Sequence, residues 1–232
     1  LVGEINQKSS SDFIYKLLTL NKENVLVYID SPGGSVTSGM KIIQVAKDLK
    51  AKNKNLKITC YVDFAASMAF AITQTICDER LIGDTSTLMQ HQATFGVQGR
   101  EGEVSSRVNM ILAILEVMDK IQAKRLDMSV AEFRKKSRDE WWLIGKDAID
   151  SKAADEMTPI VCTKELAVET RKQQINSYGL SAEITWSQCP LVTYPIKISI
   201  EGQGVTKEQR EKIEKEIYES IDIRKTRFTV SP

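Results

Sequence analysis

Short apolar runs alternate with helical patterns through the first half of the chain. Leu1-Val2-Gly3-Glu4-Ile5 reads as a strand, and a helix follows from about Ser10 to Leu20. Val25-Leu26-Val27-Tyr28-Ile29 is almost continuously apolar, which predicts a strand covered on both faces. The helix after Gly34 carries Met40, Ile43, Val45 and Ala46, and Leu56 to Val62 forms the next strand. Ala66 to Ile76 is apolar nearly all round and predicts a buried helix. Leu81-Ile82-Gly83 and Thr87-Leu88-Met89-Gln90 read as two further short strands. Alternation of this kind predicts a parallel-rich α/β sheet with right-handed crossovers.

From Gly102 to about Met128 the pattern becomes one long helix, with Val104, Val108, Ile111, Leu112, Leu115 and Met118 at helical spacing. Ser129-Val130-Ala131-Glu132 reads as a capping box that opens another helix, and Asp147 to Ala154 as a short one. After Pro159 the character changes. Ile184-Thr185-Trp186 and Ile196 to Ile200 predict strands, limited by Pro190 and Pro195 to edges or turns. Gly202 and Gly204 suggest a small hinge. Thr206 then caps a charged helix whose only apolar stripe is Ile213, Ile217 and Ile221. That stripe is too narrow to fold alone, so the helix is expected to dock on the body or on a neighbouring subunit. The chain thus divides into residues 1–157 and an extension, 158–232.

Composition narrows the function classes. The 232 residues carry a formal net charge of +1, which provides no global field for nucleic acid or a membrane surface. No apolar run approaches the roughly 20 residues of a membrane span. Cys60, Cys77, Cys162 and Cys189 are too widely spaced for a zinc motif, so no metal or other cofactor is expected. Cys60 and Cys77 sit in apolar surroundings and read as reduced core residues, which favours a reducing, cytoplasmic setting. A metal site at Cys162 and Cys189 in the extension is disfavoured, because too few partners lie nearby to complete four ligands.

Three strand ends offer chemistry in sequence. Ser31-Pro32-Gly33-Gly34 lies between a strand and a helix, where two glycines allow a sharp turn and present N–H groups to developing negative charge. Ser67 follows the next strand and opens the apolar helix, with the Met68 N–H beside it. A serine at such a place is commonly only a helix cap. His91, the sole histidine, ends a third strand. Each has a bland structural explanation by itself. Together they supply an oxyanion turn, a hydroxyl and an imidazole, and a parallel sheet gathers such ends on one edge. The carboxylate that would orient His91 is sought in Arg138-Asp139-Glu140-Trp141-Trp142, where spacing leaves both Asp139 and Glu140 open.

These residues resemble the Clp protease proteolytic subunit family. Tyr28 to Val36 with Gly39-Met40 resembles its glycine motif, and Ala65-Ala66-Ser67-Met68-Ala69 its nucleophile motif. Met89-Gln90-His91-Gln92 resembles its histidine motif, and Gly96-Val97-Gln98-Gly99 the glycine-rich strand after it. Asp139 to Asp155 resembles its third-residue segment. The resemblance implies a crotonase-like fold of stacked βαβ units, with Ser67 as nucleophile and His91 as base. Gly34 and Met68 would form the oxyanion hole. Gly33, Ser35, Phe95, Gly96 and Val97 would contact substrate, with Gly96 to Gly102 the strand along which a peptide lies. It further implies peptide or unfolded-protein substrates, a ring-shaped homo-oligomer paired through the long helix, and an ATP-driven unfoldase as partner. Counting back from Asp155 without gaps puts Glu140 at the family's aspartate. Ala93 stands where a proline is common, and Phe64 replaces a small polar residue.

Other readings are a non-catalytic ring or scaffold subunit and a signal-peptide-peptidase-like Ser–Lys hydrolase. A crotonase-type acyl-CoA enzyme would share the fold without needing the serine–histidine pair.

Overall fold

A computed structural model describes residues 1–20, 22–177, 180–202 and 206–221. The chain separates into two units, Leu1–Pro159 and Ile160–Pro232. In the first, α1 (Gln7–Thr19) precedes β1 (Asn24–Ser31), α2 (Val36–Lys52), β2 (Lys57–Ala66), α3 (Met68–Ile76) and β3 (Glu79–His91). Then come α4 (Glu101–Arg125), α5 (Val130–Lys136), β4 (Glu140–Ile144), α6 (Lys146–Asp150) and β5 (Glu156–Met157). The sheet order is β1-β2-β3-β4, with β5 also on β3. β1, β2 and β3 are parallel and β5 joins them parallel, while β4 runs antiparallel to β3. The fold is the parallel-rich α/β stack that the strand–helix alternation predicts.

This topology positions the chemistry. Parallel strands put the carboxyl ends of β1, β2 and β3 on one edge, at Ser31, Ala66 and His91. The core beneath is built from the central strands and α3: Ile29, Ile58, Val62, Phe70, Ile72 and Leu88 are all fully buried. α3 earns its all-round apolar sequence, since eight of its nine residues are buried.

Local differences from the sequence reading have physical causes. Leu1–Ile5 makes only isolated bridges, Val2 to Asp30 and Ile5 to Gly34, because it meets the end of β1 and the turn after it and not a full strand. β1 is an edge strand with Leu26 exposed near its start, but Val27 to Ser31 are all buried, so the strand is covered on both faces over its second part only. The two short strands predicted around Gly83 are one, β3. Ser86 Oγ accepts the Gly83 N–H at 2.8 Å and carries the chain through its polar middle. The segment Glu140-Trp141-Trp142, searched in sequence only for a carboxylate, is part of strand β4. It is a strand because β3 offers it an open edge from Thr87 to His91.

Cys60 and Cys77 are not reduced. They form a disulfide from β2 to the C-terminal end of α3, enclosing the segment that carries Ser67. Cys162 and Cys189 form a second. Apolar burial and cross-linking look alike in sequence, and only the 5.6 Å Cα separation of Cys60 and Cys77 distinguishes them. With both pairs oxidised, the argument for a reducing compartment falls.

The second unit comprises α7 (Lys164–Val168), β6 (Thr170–Ser177), β7 (Leu180–Ser187), β8 (Lys197–Gly202) and α8 (Lys207–Ile221). The strands form an antiparallel sheet in the order β6-β7-β8. β6 is too polar to read as a strand in sequence, and hairpin pairing to β7 makes it one. On α8, the Tyr218 ring packs tilted against Tyr194, with ring centroids 6.5 Å apart. Gly204 of the suggested hinge lies outside the described residues, as does the side chain of Ile221. No helix among the described residues is long and apolar enough to cross a membrane. None of them gathers three or more His, Cys, Asp or Glu as metal ligands.

Candidate active site

Ser67 is a one-residue elbow. β2 ends at Ala66 and α3 begins at Met68, so the chain reverses direction at the serine. Its backbone has φ 57° and ψ −119°, a conformation that side-chain-bearing residues avoid. Holding it there costs about 1–3 kcal/mol, which the surrounding bonds must offset. The Ser67 N–H donates to Met89 O at 2.9 Å, and its carbonyl accepts the Ala71 N–H at 3.1 Å. The hydroxyl makes no capping bond to α3. The helix-cap explanation of this serine therefore fails, and Ser67 lines the cavity at the sheet edge.

The glycine turn is built against that elbow. Gly33 has φ 87°, and a Cβ there would stand 2.5 Å from Ala66 O and 2.8 Å from Met68 N. Gly34 has φ 140°, and a Cβ there would meet Ile5 O at 2.4 Å. Both glycines are thus demanded by backbone approaching from neighbouring segments. Ser31 Oγ buttresses the turn: it donates to Gly3 O at 2.6 Å and accepts the Gly33 N–H at 3.2 Å. The Gly34 N–H has no acceptor among the described residues. Met68, the first residue of α3, has no intrahelical acceptor for its own N–H. Ser35 caps α2, accepting the Ser38 N–H at 3.2 Å, so its hydroxyl is engaged in the fold.

His91 ends β3, and its half-buried side chain lines a cavity of about 470 Å³ together with Ser67, Met68 and Phe95. The far wall comes from α4 and α5, through Leu112, Leu115 and Phe133. Leu112 and Leu115 were legible only as part of a helix stripe; nothing in the spacing said which cavity they bound. Gln90 and Gln122 also line it, and no sequence signal marked either one.

The parts are gathered but not locked together. Ser67 Oγ and His91 share no hydrogen bond, and no carboxylate bonds the imidazole, among the described residues. Glu140 stands directly opposite His91 in the β3–β4 register, which puts both side chains on one face of the sheet. Its carboxylate accepts the Trp142 Nε1–H at 3.0 Å. Asp139 precedes the strand, is exposed, and lies 3.4 Å from Arg138. Gly96 and Val97 do not line the cavity. The glycine-rich segment expected as a strand has no strand pairing from Gln92 to Arg100, because β3 ends at His91 and no neighbouring strand reaches past it.

A parallel α/β stack with a serine elbow, a single imidazole and two amides without acceptors at one sheet edge has the architecture of a hydrolase of the serine-protease kind. Residues 1–158 match the family model described as Clp protease. The chain belongs to the Clp protease family. Membership makes it a peptidase of the Clp type and implies peptide substrates and oligomeric assembly.

Proposed function

We propose that this chain is a serine endopeptidase working through an acyl-enzyme, with the chemistry confined to residues 1–157 and residues 158–232 an extension. The observation that carries the reading is the Ser67 elbow, whose hydroxyl caps nothing and which lines the same cavity as the only histidine. Ser67 Oγ attacks the peptide carbonyl carbon while His91 takes its proton. The carbonyl oxygen becomes an oxyanion held by the Gly34 and Met68 amides. His91 then gives the proton to the leaving amine as the C–N bond breaks. Water, deprotonated by His91, hydrolyses the ester and restores the serine. Losing one oxyanion donor typically costs about 3–4 kcal/mol of transition-state stabilisation.

Glu140 is the third member we favour, because the strand register sets it opposite the imidazole; Asp139 is the alternative, one residue outside that register. Joining Ser67, His91 and a carboxylate needs a rearrangement, which we assign to ring assembly. The exposed middle of α4 supports assembly there, since Met110, Leu112 and Val117 are each more than half exposed. The unpaired stretch around Phe95 to Gly99 supports substrate binding by strand addition, with Phe95, Gly96 and Val97 along the peptide and Gly33 and Ser35 beside it. An ATP-driven unfoldase would deliver unfolded chains to such a ring. The cytoplasmic placement loses its support with the two disulfides. No lysine lines the cavity, which favours His91 over a Ser–Lys dyad as base.

The test is fluorophosphonate labelling with site mapping, alongside peptide hydrolysis and native mass. Ser67→Ala and His91→Ala should each abolish labelling while leaving the assembly mass unchanged. Labelling that survives in Ser67→Ala removes the nucleophile, and activity that survives in His91→Ala removes the base. A wild-type assembly that never labels would support the non-catalytic scaffold reading.

A further inference from the structure

Beneath the imidazole lies a buried polar pair that the proposed chemistry does not use. Gln90 is 6 % exposed and Gln122 3 %. Gln90 Oε1 accepts the His91 backbone N–H at 3.0 Å, and Gln90 Nε2 donates to Gln122 Oε1. Gln122 Nε2 in turn donates to Met118 O, one turn back on α4, at 3.2 Å. Each end of this chain is a backbone group of fixed character, a donor at His91 and an acceptor at Met118. The orientation of both amides is therefore determined, because flipping either one would set donor against donor or acceptor against acceptor.

The topology explains why the pair exists. Met89 O bonds the Ser67 N–H, so on that side of β3 the next backbone donor is His91, two residues on. β2 has already left the sheet at Ser67 to become α3. The elbow that exposes the serine thus deprives the histidine N–H of its strand partner. A buried donor without an acceptor is costly, and the Gln90 amide takes the place of the missing strand. Gln90 is itself held by α4, the helix whose first half is exposed.

We propose that Gln90 and Gln122 are positioning residues that tie the end of β3, and so the placement of the His91 imidazole, to helix α4. The proposal rests on the reading of His91 as the base. It makes imidazole alignment sensitive to whatever packs on α4.

The experiment uses the full chain with the near-isosteric variants Gln90→Met and Gln122→Met, their double variant, and Gln122→Glu, which keeps an acceptor for Gln90. Peptide hydrolysis should show kcat lowered about tenfold in each methionine variant with KM within about twofold, the expected mark of misplacement without lost binding. The double variant should be no slower than Gln90→Met, since both act through one connection. Gln122→Glu should recover part of the loss. Amide hydrogen exchange, read by mass spectrometry on the peptide holding His91, should quicken in both methionine variants. Unchanged kcat in folded Gln90→Met, or unchanged protection at His91 in both variants, overturns the proposal. Additive losses that follow the fall in Tm also overturn it, since they mark a purely structural pair. Failure of the base assignment is separable: there His91→Ala keeps its activity whatever the glutamine variants do.

Discussion

Gly33→Ala tests the whole site through one methyl group. The added Cβ would lie 2.5 Å from Ala66 O, 2.8 Å from Met68 N and 2.9 Å from Ser67 Cβ. The first contact is about 0.9 Å inside ordinary van der Waals distance. Two of the three neighbours are backbone, so no side chain can rotate away. At φ 87° the alanine also suffers the left-handed penalty, about 1–2 kcal/mol. Overpacking adds roughly 1–3 kcal/mol. A total near 3 kcal/mol predicts a fall in Tm of about 6–12 °C for a unit of this size. Relief must come from parting the glycine turn from the start of α3, which separates the two amides proposed to hold the oxyanion. A displacement on that scale costs up to about 100-fold in rate. The assay is the second-order rate of fluorophosphonate labelling, measured below the lowered Tm so that all molecules are folded. Gly96→Ala is the control: nothing stands within 4 Å of its Cβ, so it should leave Tm unchanged. If Gly33→Ala labels within twofold of wild type at unchanged Tm, the close approach of turn and elbow is not what builds the site.

Two further predictions concern what holds this frame. Replacing both Cys60 and Cys77 with alanine should lower unfolding free energy by about 3 kcal/mol on the loop-entropy estimate for their separation of 17, read by denaturant titration against the oxidised wild type. A change under about 1 kcal/mol would mean the link adds little. Asp155 binds the buried Arg80 through three donors, at 2.6–2.9 Å, and burial, which would raise its pKa, is outweighed by those bonds and by the charges of Arg80 and Arg125. Its pKa is therefore held below the usual carboxylate range. Asp78 is lowered likewise: burial is outweighed by its bonds from Lys50 and the Ile58 N–H. A lowered folded pKa gives stability that is complete above the unfolded value and lost as pH falls through the folded one. Asp155→Asn should thus destabilise the protein at pH 7, toward the lower end of about 3–5 kcal/mol because Asp155 is 36 % exposed. The gap from wild type should narrow below about pH 4, and a gap independent of pH would refute the ion-pair account.

Much of this was readable in one dimension because it rests on local patterns. Apolar runs of strand length and the all-apolar α3 announced a buried sheet. Gly33-Gly34, Ser67 and His91 stood at the ends of predicted strands, and parallel topology puts such ends on one edge whatever the loops do. Partners chosen by approach in space left no such mark. Glu140 pairs opposite His91 because β4 runs back along β3, a relation that spacing along the chain could not show and that left Asp139 open beside it. Cys60 meets Cys77 because α3 folds back beside β2, although burial alone would explain both. β6 is a strand because β7 lies beside it. Gln90 and Gln122 are 32 positions apart and were silent in sequence, since a glutamine announces nothing until its amide finds a partner. The order of residues determined the strands, the helices and the edge where chemistry collects. Tertiary structure decided which side chains meet there, because a hydrogen bond, a disulfide or a register pairing depends on distances of a few ångströms that only the folded chain sets.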